Sequence, residues 1–269
     1  MCCSTSFSSR SASPGSPDSL STVRPSGTFC HNVRTCRLVP GRIGFPGEPH
    51  ERSAQSAALL TERRKAATQL DIARAAAELF AEHGPDGTTA EDIAHRAGVA
   101  LRTFYRYFRG KQDAVGPLLA AGGDAWRALL ADAEPGADLR LTLETAVTAT
   151  LSAPGDHGPE QLETTRGLLR AAQDDAALRA VWYRVNQESE ERLVPVLARL
   201  AGERADPLDV RLAAAAATDA IRIALEAWAA TDVPATGATG SPAVLALRCL
   251  RELTGGISLL GGGQGAGRP

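Results

Sequence analysis

The feature that most constrains the fold is a dense pattern of helix caps, turn residues and inward-facing aromatics over residues 88–111. Thr89 is a good N-cap, and Asp92 lies three residues later, where its carboxylate can reach back to the cap as in a capping box. Gly98 ends this first short helix, because the residue just past a helix often needs a left-handed backbone that glycine adopts without strain. The pattern therefore predicts a short helix followed by a tight turn.

A second helix is expected from about Leu101, and its inner face carries Phe104 and Phe108, four residues apart. The side chains left pointing away from the core are polar: Arg102, Thr103, Arg106 and Tyr107. A helix, a glycine turn and a second helix with a polar outer face form the helix-turn-helix pattern, in which the second helix enters the DNA major groove.

The charge of this segment favours DNA binding. Residues 94–112 contain no acidic side chain and five basic ones, which are Arg96, Arg102, Arg106, Arg109 and Lys111. Because the formal net charge of the whole chain is only −2, attraction to DNA has to come from this local patch. The alternative is a solvated basic surface on a small helical domain.

The TetR (TetR/AcrR) family of bacterial repressors has a DNA-binding signature that this segment resembles, in the run Thr-Thr-x-x-x-Ile-Ala-x-x-Ala-Gly-Val-x-x-x-Thr-Phe-Tyr-x-Tyr-Phe-x-x-Lys. The preceding residues 75–84 are similar to the end of that family's first helix, and the resemblance covers residues 62–119. It departs from the family at Ala100, where members usually carry serine or a similar polar residue. A side-chain cap is therefore expected to be absent there.

This resemblance implies roles for individual side chains. Arg102 and Thr103 are expected to face base edges, where a guanidinium can hold a guanine through two hydrogen bonds. Phosphate contacts are expected from tyrosine hydroxyls, from Lys111 and from the cap residue Thr89. The predicted DNA-binding set is Thr89, Leu101, Arg102, Thr103, Tyr105, Arg106, Tyr107 and Lys111.

The chain divides into four predicted regions: a Ser/Pro/Arg-rich disordered tail (1–55), the DNA-binding domain (56–112), a helical effector-binding and dimerisation domain (113–254) and a Gly-rich disordered tail (255–269). No stretch alternates polar and apolar residues with the period of a strand, so the predicted class is all-α with about nine helices. No stretch approaches the roughly 18 apolar residues that cross a membrane.

The N-terminal tail contains four of the five cysteines, Cys2, Cys3, Cys30 and Cys36. Their spacing is not that of a paired metal or redox site. The tail also lacks the continuous apolar stretch of a secretory signal and the amphipathic helix of a transit peptide. Three interpretations stay open: an unstructured segment, a basic arm that adds non-specific DNA affinity, or residues upstream of the true start.

The first long helix is predicted over residues 62–83, with Thr61 as its cap. The fourth is predicted over residues 111–132, with a break at Gly116-Pro117 or Gly122-Gly123, because proline and glycine weaken a helix interior. Five further helices are expected at residues 138–151, 159–173, 174–200 (with a kink at Pro195), 207–230 and 242–253.

The resemblance also implies a homodimer that pairs the last two helices, residues 207–230 and 242–253. A two-fold interface would place two recognition helices in successive major grooves, roughly 34–36 Å apart. The alternative is that both helices close an intramolecular core.

A small-molecule effector is expected in the larger domain, in a mostly apolar pocket with a few polar groups. The candidate lining residues are Trp126, Trp182 and Trp228, with Arg166, Arg170 or Arg222 as the polar group. The alternative is that the tryptophans belong to the core and that Arg222 pairs with Glu226 one turn later. The effector is expected to act by bending the fourth helix at its glycines.

These patterns predict a sequence-specific DNA-binding transcriptional regulator of the bacterial cytoplasm, and more specifically a ligand-responsive repressor. No enzyme, metal site or cofactor is expected, because the five histidines are scattered and no His/Cys/carboxylate set has ligand spacing. The alternative is a helical ligand-binding or adaptor protein whose helix-turn-helix no longer binds DNA.

Overall fold

The computed structural model describes residues 49–152, 158–237 and 239–260, and within them every long element is a helix and no strand occurs. This confirms the predicted all-α class. The helices are α1 (Pro49–His83), α2 (Ala90–Arg96), α3 (Leu101–Tyr107), α4 (Gly116–Ala131), α5 (Leu139–Leu151), α6 (Gly158–Asp174), α7 (Ala176–Ala201), α8 (Pro207–Ala229) and α9 (Pro242–Thr254). Short 3₁₀ turns occupy Asp113–Val115 and Ser258–Leu260.

Helix α1 begins at Pro49, so the predicted start at residue 62 and the predicted Thr61 cap are wrong. The reason is local. Residues 50–61 contain neither glycine nor proline and include several good helix formers, so nothing stops the helix before Pro49. Proline itself is well suited to the first turn, where its missing N–H has no helical partner to lose. The residues predicted as an N-terminal tail, 1–55, therefore include the start of α1, and residues 1–48 lie outside the described part.

Helix α4 corrects the predicted position of the helix break. The sequence Gly116-Pro117 does not interrupt a longer helix but starts a new one, after the 3₁₀ turn at Asp113–Val115. Gly122 and Gly123 do lie in the interior of α4. A β-carbon on Gly123 would lie 2.9 Å from the Ser189 Oγ, so this glycine allows α4 to approach α7 closely.

The other predicted helices differ from the observed ones by one or two residues at their ends. Asp138, Asp175 and Asp206 cap α5, α7 and α8, each accepting a hydrogen bond from a backbone N–H of the first turn. Pro195 lies within α7, which is continuous from Ala176 to Ala201.

A single hydrophobic core links the helix-turn-helix to the larger bundle. Phe80 and Phe104 belong to it at the DNA-binding end, and Leu178, Leu193 and Trp228 at the other. Helix α8 packs against α6, α7 and α9 and carries five fully buried alanines, Ala213, Ala214, Ala217, Ala220 and Ala224. Small side chains let helix axes approach closely, so these alanines favour close packing of α8 against its neighbours.

Two polar contacts connect the end of the DNA-binding region to α7. The Gln112 Nε2 donates a hydrogen bond to the Asp175 Oδ2 at 2.9 Å. The Arg184 guanidinium pairs with the Asp113 carboxylate at 2.8 Å. The segment that follows α3 is therefore held to the start and to the middle of α7.

Candidate nucleic-acid interface

A complete capping box starts α2, as the sequence predicts. The Thr89 hydroxyl accepts a hydrogen bond from the Asp92 backbone N–H at 3.1 Å and donates one to the Asp92 carboxylate at 2.6 Å. The same carboxylate accepts from the Thr89 backbone N–H at 2.9 Å. These hydrogen bonds, that from the Thr89 side chain first, lower the pKa of the Asp92 carboxyl below its usual value. The Thr89 hydroxyl proton is used by this box, so a phosphate contact from Thr89 would have to replace an existing hydrogen bond.

The turn between α2 and α3 depends on Gly98, whose φ is +67°. A β-carbon at this position would meet no atom within 4 Å, so space is not the reason for glycine. The reason is the left-handed backbone, which other residues adopt only with strain. The Val99 N–H then donates to the Ala94 carbonyl at 2.9 Å and closes the turn.

Helix α3 has a buried and an exposed face as its sequence predicts, except that Tyr107, predicted to point away from the core, packs in part against it. Phe104 is fully buried, and its ring centroid lies 5.7 Å from that of Phe108. On the outer face Leu101, Arg102, Tyr105 and Arg106 are exposed, while Thr103 and Tyr107 are half-buried. As expected from the departure at Ala100, no side chain caps α3.

The basic patch is smaller than its sequence suggests. Arg96 lies on α2 and points to α1, where it pairs with Glu82 at 2.8 Å and with Glu78 at 3.4 Å. Its hydrogen bond lowers the pKa of Glu82. Arg96 therefore clamps α2 to α1, and its charge is already neutralised. Of the five basic residues of this patch, four make no ion pair with another described residue: Arg102, Arg106, Arg109 and Lys111.

Arg106 and Tyr107 act as one ordered unit. The Arg106 guanidinium donates a hydrogen bond to the Tyr107 hydroxyl at 3.1 Å and lies 4.8 Å from the centroid of its ring. A guanidinium stacked on a ring loses less conformational freedom when it meets an anion. The pair thus places an ordered guanidinium on α3.

A cavity of about 1260 Å³ lies behind the helix-turn-helix and is lined by α1, α4, α5, α6, α7 and α8. Trp126 and Trp182, two of the predicted lining residues, are both on its wall. Trp182 is held in place because its indole N–H donates to the Glu226 carboxylate at 2.7 Å. The α1 wall includes Ala77 and Phe80, so the cavity reaches the helix on which α2 is clamped.

The predicted arginines and Trp228 lie elsewhere. Arg166 stacks on the Trp228 ring at 3.9 Å and donates to the Val233 carbonyl. Arg170 is held by the Ala229 and Thr231 carbonyls, each at 2.7 Å. The carbonyls that bind these two arginines belong to the end of α8 and to the segment after it, which explains why the arginines do not line the cavity.

Arg222 is also engaged outside the cavity. It pairs with Asp219 at 2.9 Å and with Glu226 at 3.1 Å, as the alternative interpretation of this residue expects. The polar residues that do line the cavity on α7 and α8 include Asn186, Ser189 and Thr218. Asn186 and Ser189 follow Trp182 by four and seven residues in the sequence, so helical spacing from the predicted tryptophan was a signal for them.

Comparison with known proteins matches the family of bacterial regulatory proteins named tetR over residues 72–115. The transcriptional regulator TcmR of Streptomyces glaucescens is 28% identical over 156 residues, which are 57% of this chain and 69% of TcmR. Over residues 72–115 the chain has the DNA-binding region of the tetR family of bacterial regulatory proteins. It is a DNA-binding transcriptional regulator, and the relatives that it matches are regulators rather than enzymes.

Other similar proteins extend the comparison. The transcriptional repressor KstR2 of Rhodococcus jostii (strain RHA1) is 34% identical to this chain over 93 residues, which are 33% of this chain and 44% of KstR2. A crystal structure of a TetR-family regulator from Mesorhizobium loti MAFF303099 has a TM-score of 0.45 and 21% identity, covering 71% of this chain and 97% of that one. The multidrug binding protein EbrR, crystallised with imidazole, has a TM-score of 0.44 and 24% identity, covering 69% and 93%.

Two further properties of the described residues bear on function. None of their helices combines the length and the apolar character that crossing a bilayer requires. Nowhere in the described part do three or more His, Cys, Asp or Glu side chains come together as metal ligands would.

Proposed function

We propose that this TetR-like regulator is a repressor that binds a specific operator through α3. Its affinity for the operator changes when a small molecule fills the cavity. The observation that carries the proposal is the outer face of α3, where Arg102 is exposed and free of any ion pair in the described chain. An unpaired guanidinium on a recognition helix can bind a guanine without first losing a carboxylate partner.

The predicted DNA contacts divide into two kinds. Arg102 and Thr103 are proposed to read base edges, with Leu101 beside them at the start of α3. The Arg106–Tyr107 pair, Tyr105 and Lys111 are proposed to hold phosphates. The capping box at Thr89 fixes the start of α2, and we propose that the Thr89 hydroxyl exchanges its hydrogen bond to Asp92 for one to a phosphate of the same groove.

The cavity supports the ligand response because its wall is shared. Helix α1 contributes Ala77 and Phe80 to the cavity and also carries Glu82, which holds Arg96 of α2. A ligand that favours one position of α1 over another would therefore move the helix-turn-helix with it. A ligand can shift the DNA affinity only by its difference in affinity for the two positions.

The operator contact is tested by selecting a preferred sequence from random DNA and measuring three variants on it. Arg102→Ala should lose about 1–3 kcal/mol of discrimination against substituted base pairs. Lys111→Ala should weaken binding to all sequences evenly and reduce the salt slope by about 0.9. Arg204→Ala removes an exposed arginine of the loop between α7 and α8, far along the chain from α3, and should change neither property.

The outcomes separate this proposal from the alternative of an adaptor protein. If the parent shows no salt-dependent binding to any DNA pool, the helix-turn-helix is not a functional DNA reader. If the Arg102→Ala variant prefers the same sequence as the parent, with the same ratio of affinities for preferred and random DNA, Arg102 does not contact base edges.

A further inference from the structure

One residue of the cavity wall carries a buried polar group that has no hydrogen-bond partner within the described protein. Among the described residues, the buried side-chain atoms without a hydrogen-bond partner are the Thr218 Oγ1 and the Arg166 Nε, and of these two residues Thr218 alone lines the cavity. Thr218 is 5% exposed. Buried hydroxyls are nearly always hydrogen-bonded, so an unpartnered one on a cavity wall points to a ligand group.

Thr218 is unusual among the threonines of this protein. In the described helices, seven others donate their hydroxyl to the carbonyl four residues earlier: Thr68, Thr142, Thr148, Thr150, Thr164, Thr165 and Thr254. A helical threonine thus has a partner within its own helix if it takes the required rotamer. Thr218 does not take it, and its hydroxyl stays unbonded beside the cavity.

The charges on the cavity wall, in contrast, are already compensated. The ion pairs are Asp124 with Arg127 and Arg192, Glu188 with Arg184 and Arg192, Glu163 with Arg166, Glu78 with Arg96, and Arg74 with Asp71. Glu160, the other charged residue on the wall, also makes an interaction. A charged ligand would lose its hydration in the cavity without gaining an unpaired opposite charge. This desolvation is strongly unfavourable in free energy.

The remaining wall is apolar and large. It includes the rings of Trp126 and Trp182 and the side chains of Leu119, Val147 and Leu168. The volume of about 1260 Å³ exceeds the roughly 300–1,000 Å³ of pockets for drug-sized ligands, so a bulky molecule can enter.

We infer that the effector is an uncharged, largely apolar molecule with one hydroxyl or carbonyl group, and that Thr218 forms the hydrogen bond to this group. This inference rests on the proposed role of the cavity as a ligand site. It assigns the charge class of the effector and the residue that recognises its polar group.

The test uses three ten-carbon probes that differ only in their head group: 1-decanol, decanoate and decylammonium. Their affinities for the full-length protein are measured by calorimetry at neutral pH without DNA. The expected result is that 1-decanol binds at least tenfold more tightly than either ion. Thr218→Val, which replaces the hydroxyl with a methyl group, should weaken 1-decanol binding about tenfold, and Thr218→Ser should retain most of it.

A second readout is the stability of the unliganded variants. Because valine removes a buried hydroxyl that has no partner, Thr218→Val should have a melting temperature equal to or above that of the parent. A lower melting temperature would mean that the hydroxyl is bonded inside the protein, and the inference would fail.

The remaining outcomes are equally decisive. The inference fails if none of the probes binds, if an ion binds as well as the alcohol, or if Thr218→Val binds 1-decanol as the parent does. If 1-decanol binds through Thr218 but leaves operator affinity unchanged, the inference stands and the proposed ligand response of DNA binding fails.

Discussion

Asp92 is the residue on which the start of the helix-turn-helix depends, since its carboxylate accepts hydrogen bonds from both the hydroxyl and the backbone N–H of Thr89. These bonds require the ionised form, which is why the pKa of the Asp92 carboxyl lies below its usual value. A group whose pKa is lowered in the folded state contributes stability that is complete above its unfolded pKa, about 3.9 for aspartate. This contribution is lost as the pH falls through the folded pKa.

The capping box therefore gives a pH-dependent prediction. Asp92→Asn should melt at a lower temperature than the parent at pH 7, and the difference should shrink as the pH is lowered below about 4. Circular dichroism melts at several pH values measure it. A difference that stays constant down to pH 3 would mean that the carboxylate charge has no part in the cap. As a charge-free comparison, Thr89→Ala should lose about 0.5–2 kcal/mol of stability and Thr89→Ser much less.

At the same scale, Arg96 marks the limit of what a sequence pattern can predict. The caps at Thr89, the glycine turn and the buried Phe104 follow from rules that act over three or four residues, and all three are confirmed. The partners of Arg96, Glu78 and Glu82, lie on another helix. Which basic side chains are neutralised depends on how α1 and α2 pack, and local spacing does not encode that.

At the scale of the element, α4 contains two residue types that can weaken a helix, proline and glycine, and their positions differ. Pro117 lies in the first turn, where proline is favourable, so Pro117→Ala alone should have little effect on a bend. Gly122 is different, because it lies in the helix interior and a β-carbon there would meet no atom within 4 Å. Packing therefore does not require a glycine at position 122.

Gly122→Ala should raise the stability of the protein by about 0.5–1 kcal/mol, because alanine favours the helix and meets no obstacle. If bending of α4 transmits the ligand signal, the same change should reduce the effect of 1-decanol on operator affinity while leaving its binding intact. Gly167→Ala on α6 is the matched control, since it also lines the cavity and has equal space around it. It should raise stability without altering the ligand effect. An equal ligand effect in both variants would place the moving part outside α4.

Element boundaries show a similar division between local and tertiary causes. The start of α1 at Pro49 could have been predicted, because only residues 49–61 were needed to see that no breaker interrupts them. The positions of Arg166 and Arg170 could not, because the carbonyls that bind them come from the segment after α8, some sixty residues later in the chain. Their role in an effector pocket remains a prediction from sequence that the cavity geometry does not support.

At the scale of the whole molecule, α8 presents an apolar stripe to solvent. Leu208 and Leu212 are 63% and 47% exposed, and Ile223 continues the stripe. On α9, Val244 and Leu253 are exposed as well. The same two helices also pack against each other, so intramolecular packing and outward apolar side chains coexist. We propose that this surface pairs with that of a second copy about a two-fold axis.

Leu208→Asp should weaken the dimer at least tenfold, because it places a charge in an apolar interface. Sedimentation equilibrium measures the change. The matched control is Leu141→Asp on α5, because Leu141 is also 63% exposed but lies outside the proposed interface. Operator affinity should fall with Leu208→Asp alone, since two linked recognition helices bind two half-sites together. Equal oligomeric states for the two variants would exclude α8 as the pairing surface.

The shared wall of α1 has an evolutionary consequence. Ala77 and Phe80 line the cavity on the helix that also holds α2 through Glu82, so under the proposed role of the cavity mutations there should alter ligand response and operator binding together. The opposite wall, with Asn186 on α7 and Thr218 on α8, contacts the cavity at a distance along the chain from the reader. Selection for a new inducer can therefore act on α7 and α8 with little cost to promoter recognition. Paralogues that keep the same operator should differ from this protein mainly on those two helices.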